Sequence, residues 1–202
     1  MYGFKKSGLL ELMGAAVVVV GCAQIALGQY EIIDVGTLGG TYSAAVEIND
    51  YGEIAGTSAY QGSATRHAFL YIDGSMIDLG TLGGRISRGQ AINNAGQVAG
   101  DAERVDSPSH AFLYSGGSMI DLGTLPGGIK SFADGINDLG HVVGESRTSG
   151  HNVPHAFLYA DGVMTDLGTL GGTESWAWAI NNWGQVVGCS HVSGDFGGNP
   201  SP

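Results

Sequence analysis

Apolar residues in this chain come in short runs broken by Gly, Asn and Asp, and the runs return in one fixed order. "SWAWAIN" (175–181) reads as a strand, and the "NNWG" after it supplies Asn and Gly for a reversal with positive φ. "QVVG" (185–188) is β-branched and continuous, the pattern of a strand covered on both faces. A variable polar loop follows in each copy, as at 101–109. "HAFLY" is then a third strand, at 67–71, 110–114 and 155–159. "IDG" or "ADG" turns the chain, and "VMTDLGTL" (163–170) reads as a fourth strand, after which "GG" releases the chain into the next copy.

The interval is regular. "DVGTLGG" (34–40), "DLGTLGG" (78–84), "DLGTLPGG" (121–128) and "DLGTLGG" (166–172) are spaced by 44, 43 and 45 residues. "INDYGEIAG", "INNAGQVAG", "INDLGHVVG" and "INNWGQVVG" begin at 48, 92, 136 and 180, three steps of 44. Four antiparallel strands per 44 residues is the size of one β-propeller blade. A meander of that size cannot bury both faces alone, so neighbours must stack on it. The expected fold is therefore all-β: a propeller-like array of four-stranded blades, with a β-solenoid as the competing architecture. The units divide as an N-terminal strand (29–40), three whole copies (41–84, 85–128, 129–172) and a partial one (173–202).

These landmarks, "HAFLY..G.M.DLGTLGG…IN..GQVVG", resemble the HAF-repeat family of exported bacterial proteins over nearly all of the chain after its leader. The resemblance implies a repeat architecture and an extracellular or cell-surface location. It implies no activity, so it assigns no catalytic role to His67, Asp78 or any other residue.

A fourth "HAFLY" is missing. The chain begins its repeats with a fourth-type strand, "YEIIDVGTL" (30–38), and ends after strands one and two with "CSHVSGDFGGNPSP". That leaves two sheet edges open. "SHVSGDF" (190–196) is a makeshift third strand in this reading, with His191 in the landmark position. The tail from Ser190 is expected to be loosely ordered, which makes edge-to-edge pairing of two copies into a homodimer the expected remedy.

Composition narrows the class. Gly accounts for 36 of 202 residues, charged residues for 13%, and the net charge is −11. Such a surface repels phosphate backbones, so no nucleic-acid partner is expected; a glycan or a surface protein suits it better. Residues 1–28 read as a signal peptide: Lys5 and Lys6, then the apolar Leu12–Gly21, then "ALG" at 26–28. "VVGC" (19–22) also fits a lipidation site at Cys22, and an uncleaved anchor is a third route. With the leader removed Cys189 is the one cysteine left, so no intrachain disulfide framework forms.

Repeated residues build a scaffold, and positions that break the repetition are candidates for a site. His67, His110 and His155 occupy equivalent places, too far apart to share a metal, and are expected to hydrogen-bond backbone or an Asp. Asp34, Asp78, Asp121 and Asp166 are expected to cap turns. No cofactor, metal site or catalytic residue is assigned. In the first strand, aligned on Ser43, Ser87, Ser131 and Ser175, two alternate positions vary: Ala44, Arg88, Phe132, Trp176, and then Val46, Gln90, Asp134, Trp178. Alternation places both on one face. Trp176, Trp178 and Phe132 beside Arg88, Gln90 and Asp134 suit stacking on a sugar with polar rim contacts. The expected function is a non-enzymatic surface or scaffold module binding carbohydrate. The alternatives are a polysaccharide hydrolase or lyase using Asp134 or Glu47, and a purely structural array.

Overall fold

A computed structural model describes residues 17–20, 31–62, 65–105, 107–148 and 153–194. The described chain is all-β, built of antiparallel sheets with no helix and no closed barrel. Strands β1 (Val17–Val20) and β2 (Glu31–Asp34) pair with each other. The first unit holds β3 (Gly39–Ile48), β4 (Ile54–Tyr60), β5 (Arg66–Ile72) and β6 (Ser75–Asp78). The second holds β7 (Gly83–Ile92), β8 (Val98–Arg104), β9 (Ser107–Ser115) and β10 (Ser118–Gly123). The third holds β11 (Gly128–Ile136), β12 (Val142–Thr148), β13 (Pro154–Ala160) and β14 (Val163–Asp166). The last has β15 (Gly171–Ile180) and β16 (Val186–Val192) alone. Each full unit is an up-and-down meander in sequence order, and a parallel bridge from Arg66 to Ile86 joins the first two sheets.

Three core clusters are each shared by two successive units, because one thin sheet leaves both faces apolar. Ala55, Leu70 and Leu79 of the first unit pack with Val98 and Phe112 of the second. Ala99, Leu113 and Leu122 of the second pack with Val142 and Phe157 of the third, and Val143 packs with Ala177 of the last. The phenylalanines of "HAFLY" are fully buried, which accounts for their recurrence.

Side chains fasten the joints. Ser87 Oγ accepts the amide of Ala68, and Ser131 and Ser175 do the same for Ala111 and Ala156, at 2.8, 2.8 and 2.9 Å. Each of these serines also donates to a carbonyl just beyond the fourth-type strand, on Gly80, Gly123 or Gly168. The "GG" pair divides its labour. Gly83 needs φ of +100°, while a Cβ on Gly84 would lie 2.5 Å from Glu103 Cβ, so the first glycine serves conformation and the second serves close approach. The turns between the third and fourth strands have positive φ at both centres, Asp73–Gly74 and Asp161–Gly162, the twist that fits a two-residue hairpin.

Three expectations are corrected. The fourth strand ends at Asp166 and not at Leu170, because Asp166 Oδ1 takes the Gly168 amide at 2.7 Å and turns the chain out of the ladder. The first strand begins at Gly171, four residues earlier than expected. Ser190–Val192 form the end of β16, so His191 lies on a second-type strand with its ring edge-on to Trp176, not on a makeshift third strand. Residues 195–202, Cys22 and the expected cleavage positions lie outside the described residues.

Candidate functional site

The hairpins between first and second strands lie side by side and bond to one another. Asn93 shows the arrangement. Its Oδ1 accepts the amides of Ala95 and Gln97, and its Nδ2 donates to Gln97 Oε1 and across to Asn137 O at 2.8 Å. All four hydrogen-bonding positions of the amide are filled, and the residue is buried. Asn49 reaches Asn93 O and Asn137 reaches Asn181 O in the same way, each at 3.0 Å. This lateral chain requires Asn at every copy, since Asp would lose the donor and Gln would overreach.

The next position alternates Asp50, Asn94, Asp138, Asn182. Each backbone amide donates to the following side chain: Asp50 N to Asn94 Oδ1, Asn94 N to Asp138 Oδ1, Asp138 N to Asn182 Oδ1. The amide groups also donate sideways to the acids, Asn94 Nδ2 to Asp50 Oδ2 at 2.9 Å and Asn182 Nδ2 to Asp138 Oδ2 at 2.8 Å. The Asn94 backbone amide and the Asn182 side chain hold the Asp138 carboxyl below its ordinary range, so it is an anion at neutral pH.

These hairpins enclose a cavity of about 450 Å³, floored by Ile92 and Ile136 and walled by the Asp and Asn side chains. At the turn tips stand Tyr51, Leu139 and Trp183, 76%, 65% and 86% exposed. A polar cup with the bare Trp183 indole on its lining offers carboxylate acceptors, amide donors and a stacking surface together. Sequence reading took these residues for turn formers. The signal that marks them is the large apolar residue between Asn/Asp and Gly in "NDYG", "NDLG" and "NNWG", where a plain turn needs none.

The six residues expected to form a site are distributed differently. Alternation along the first strand is interrupted by a bulge in every copy: pairing jumps from Ala45 to Glu47, Gly89 to Ala91, Ala133 to Gly135 and Ala177 to Ala179. Val46, Gln90, Asp134 and Trp178 are the extra residues, so the two variable positions do not share one regular face. Arg88 pairs with Asp101 at 2.8 Å. Phe132 lies under Arg147, 5.7 Å from its ring centre, and Arg147 holds Glu145 Oε1 at 2.5 Å. Trp176 lines a second cavity, of about 230 Å³, and Trp178 is exposed. None of the six lines the hairpin cavity.

Asp134 is chemically distinct. Desolvation, reinforced by the negative charges of Glu145 and Asp101, pushes its carboxyl up to about 6. Glu47 accepts the amide of Ile92 at 2.7 Å and is spoken for. The aspartates before "LG" cap turns as expected, and each landmark histidine meets one: His67 on Asp78, His110 on Asp121 and His155 on Asp166, all at 2.8 Å. Burial lowers the His67 imidazole and raises the Asp78 carboxyl, which makes that contact a hydrogen bond of a neutral ring more than an ion pair. Among the described residues no group of three His, Cys, Asp or Glu side chains is placed to hold a metal ion. Compared with known proteins, the chain matches no family model and no curated protein.

Proposed function

We propose that this chain is an exported repeat protein that binds carbohydrate, without turnover, on the crown formed by its stacked hairpins. In this reading the antiparallel units are blades of an open, propeller-like array, and the resemblance to HAF-repeat proteins supports the extracellular location. One observation carries the ligand class. Trp183 is bared on the lining of a cup whose walls alternate Asp and Asn. An apolar ring face with acceptors and donors beside it matches the amphipathic surface of a sugar, and the net charge of −11 favours neutral or amino sugars over sulfated ones.

Titration of the chain with glycans selected on an array tests this. Saturable binding that falls at least about tenfold in Trp183→Ala, with unchanged thermal unfolding, and also falls in Asp138→Asn, is the expected result. Binding that survives both substitutions would remove the crown from consideration.

A hydrolase reading keeps one specific support, the Asp134 carboxyl with its pKa near 6 beside Glu145. Glycan turnover by the intact chain that disappears in Asp134→Asn would favour it over simple binding.

A further inference from the structure

Among the described residues, the last unit presents a strand edge at the position where the other units place a third strand. In the first three units the second-type strand pairs with "HAFLY" in one register: Gly56 faces Phe69, Gly100 faces Phe112 and Gly144 faces Phe157. The phenylalanine ring lies over the glycine, so a Cβ on Gly56 would sit 2.7 Å from Phe69 Cε1 and one on Gly100 3.0 Å from Phe112 Cε1. Gly188 is the equivalent residue of β16. Among the described residues β16 pairs with β15 alone, so no third-type strand faces Gly188.

The neighbouring unit registers the loss. Leu79 and Leu122 share their core clusters with Phe112 and Phe157 of the following unit and are 5% and 7% exposed. Leu167, their counterpart, meets no phenylalanine of a following unit among the described residues and is 44% exposed. Between Leu167, Leu170, Ala156 and Gly188 lies the cavity of about 230 Å³. An unpaired ladder edge and an apolar hollow thus coincide at the position where three other units place a strand and its ring.

We infer that β16 is an acceptor for an extended peptide strand of the His-Ala-Phe-Leu-Tyr type, bound antiparallel with its phenylalanine in the hollow over Gly188. The ladder supplies affinity through main-chain bonds, and the hollow supplies specificity for an aromatic ring with a small residue before it. Val186, Val187, Gly188, Cys189 and Ser190 would face Tyr, Leu, Phe, Ala and His of the ligand, by analogy with the β12–β13 register. The inference is independent of the carbohydrate reading, because the hollow shares no lining residue with the hairpin cup.

The test uses the full chain and a fluorescently labelled synthetic peptide with the sequence of residues 153–162, followed by anisotropy. One-to-one saturable binding is expected, weakened at least about tenfold when the peptide phenylalanine becomes alanine. A peptide of the same composition in scrambled order should not saturate. In the protein, Leu167→Glu places a charge in the hollow and should weaken binding by about as much, with far-UV circular dichroism unchanged. The peptide variants leave the protein intact, so they decide the matter even if Leu167→Glu misfolds. Absence of saturation up to about 1 mM, or equal binding of the alanine or scrambled peptide, overturns the inference. So does a dimer of the bare chain, seen by light scattering, that the peptide fails to dissociate, since β16 would then be closed by a second copy.

Discussion

His110 Nδ1 lies 2.8 Å from Asp121 Oδ1, and that same oxygen takes the Gly123 amide at 2.8 Å. One carboxylate therefore holds the third strand at His110 and sits at the register shift of the fourth, between Asp121 and Gly123. His110 is buried, while His155, which makes the same contact to Asp166, is more exposed. Replacing His110 by Ala should cost about 2 kcal/mol, and replacing His155 about 1 kcal/mol, read from urea midpoints at constant slope. Equal losses would show that solvent does not distinguish the two sites.

Asn93 has every polar atom satisfied and 3% of its surface exposed, whereas Asn181 donates to no further hairpin among the described residues. Asn93→Ala should destabilise by about 3 kcal/mol and Asn181→Ala by about half of that. Asn93→Asp should be as damaging as Asn93→Ala, because the carboxylate would be turned toward Asn137 O and Gln97 Oε1. Thermal unfolding of the three variants checks the order.

Asp134 gives the pH dependence. Its carboxyl titrates near 6 in the fold and near the ordinary 3.8 when unfolded, so the folded state prefers the proton. Below pH 4 both states are protonated and nothing is lost. Between pH 4 and about 6 the penalty grows, and above that it is fully present. Asp134→Asn, which mimics the protonated form, should therefore stabilise the protein at pH 8 and leave it unchanged at pH 3.5. The residue is exposed, so screening reduces the gain to about 1 kcal/mol. A variant with no pH-dependent gain would mean that neither desolvation nor the charges of Glu145 and Asp101 raise this carboxyl.

Gly84 permits a close crossing, with Glu103 Cβ and backbone within 2.5–2.7 Å of any added methyl. Gly84→Ala should cost more than about 3 kcal/mol, because the strand must move apart from β8. Gly74→Ala, where a Cβ would meet nothing but φ is +77°, should cost only about 1 kcal/mol. Denaturant unfolding of the two variants separates sterics from backbone strain.

What repeats in the sequence was legible and what arises between repeats was not. The 44-residue interval gave the strand order, and the recurrent His and Asp gave a structural pair in place of a metal site. The bulges left no mark, since "SFADGI" alternates smoothly as letters while Asp134 is an extra residue in the ladder. The cup escaped notice for a related reason. Asp50, Asn94, Asp138 and Asn182 each look like ordinary turn residues, and their mutual bonding exists only once four hairpins are stacked. The missing "HAFLY" was visible as a gap, but its hollow is lined by Leu167 and Ala156 of the preceding unit as well as by Gly188.

The alternation Asp50, Asn94, Asp138, Asn182 gives the array a parity. A single 44-residue unit is not its true building block, because each acid depends on an amide in the adjacent copy. Excising residues 85–128 would leave all the apolar joints and the Asn49-type chain chemically intact. It would also bring Asp50 directly against Asp138, two carboxylates with no donor between them. Excising two units keeps the phase, as does excising one together with both Asp138→Asn and Asn182→Asp. A chain of this kind can lengthen or shorten freely only in steps of two hairpins, and an odd step must be accompanied by an exchange of acid and amide in every copy beyond it.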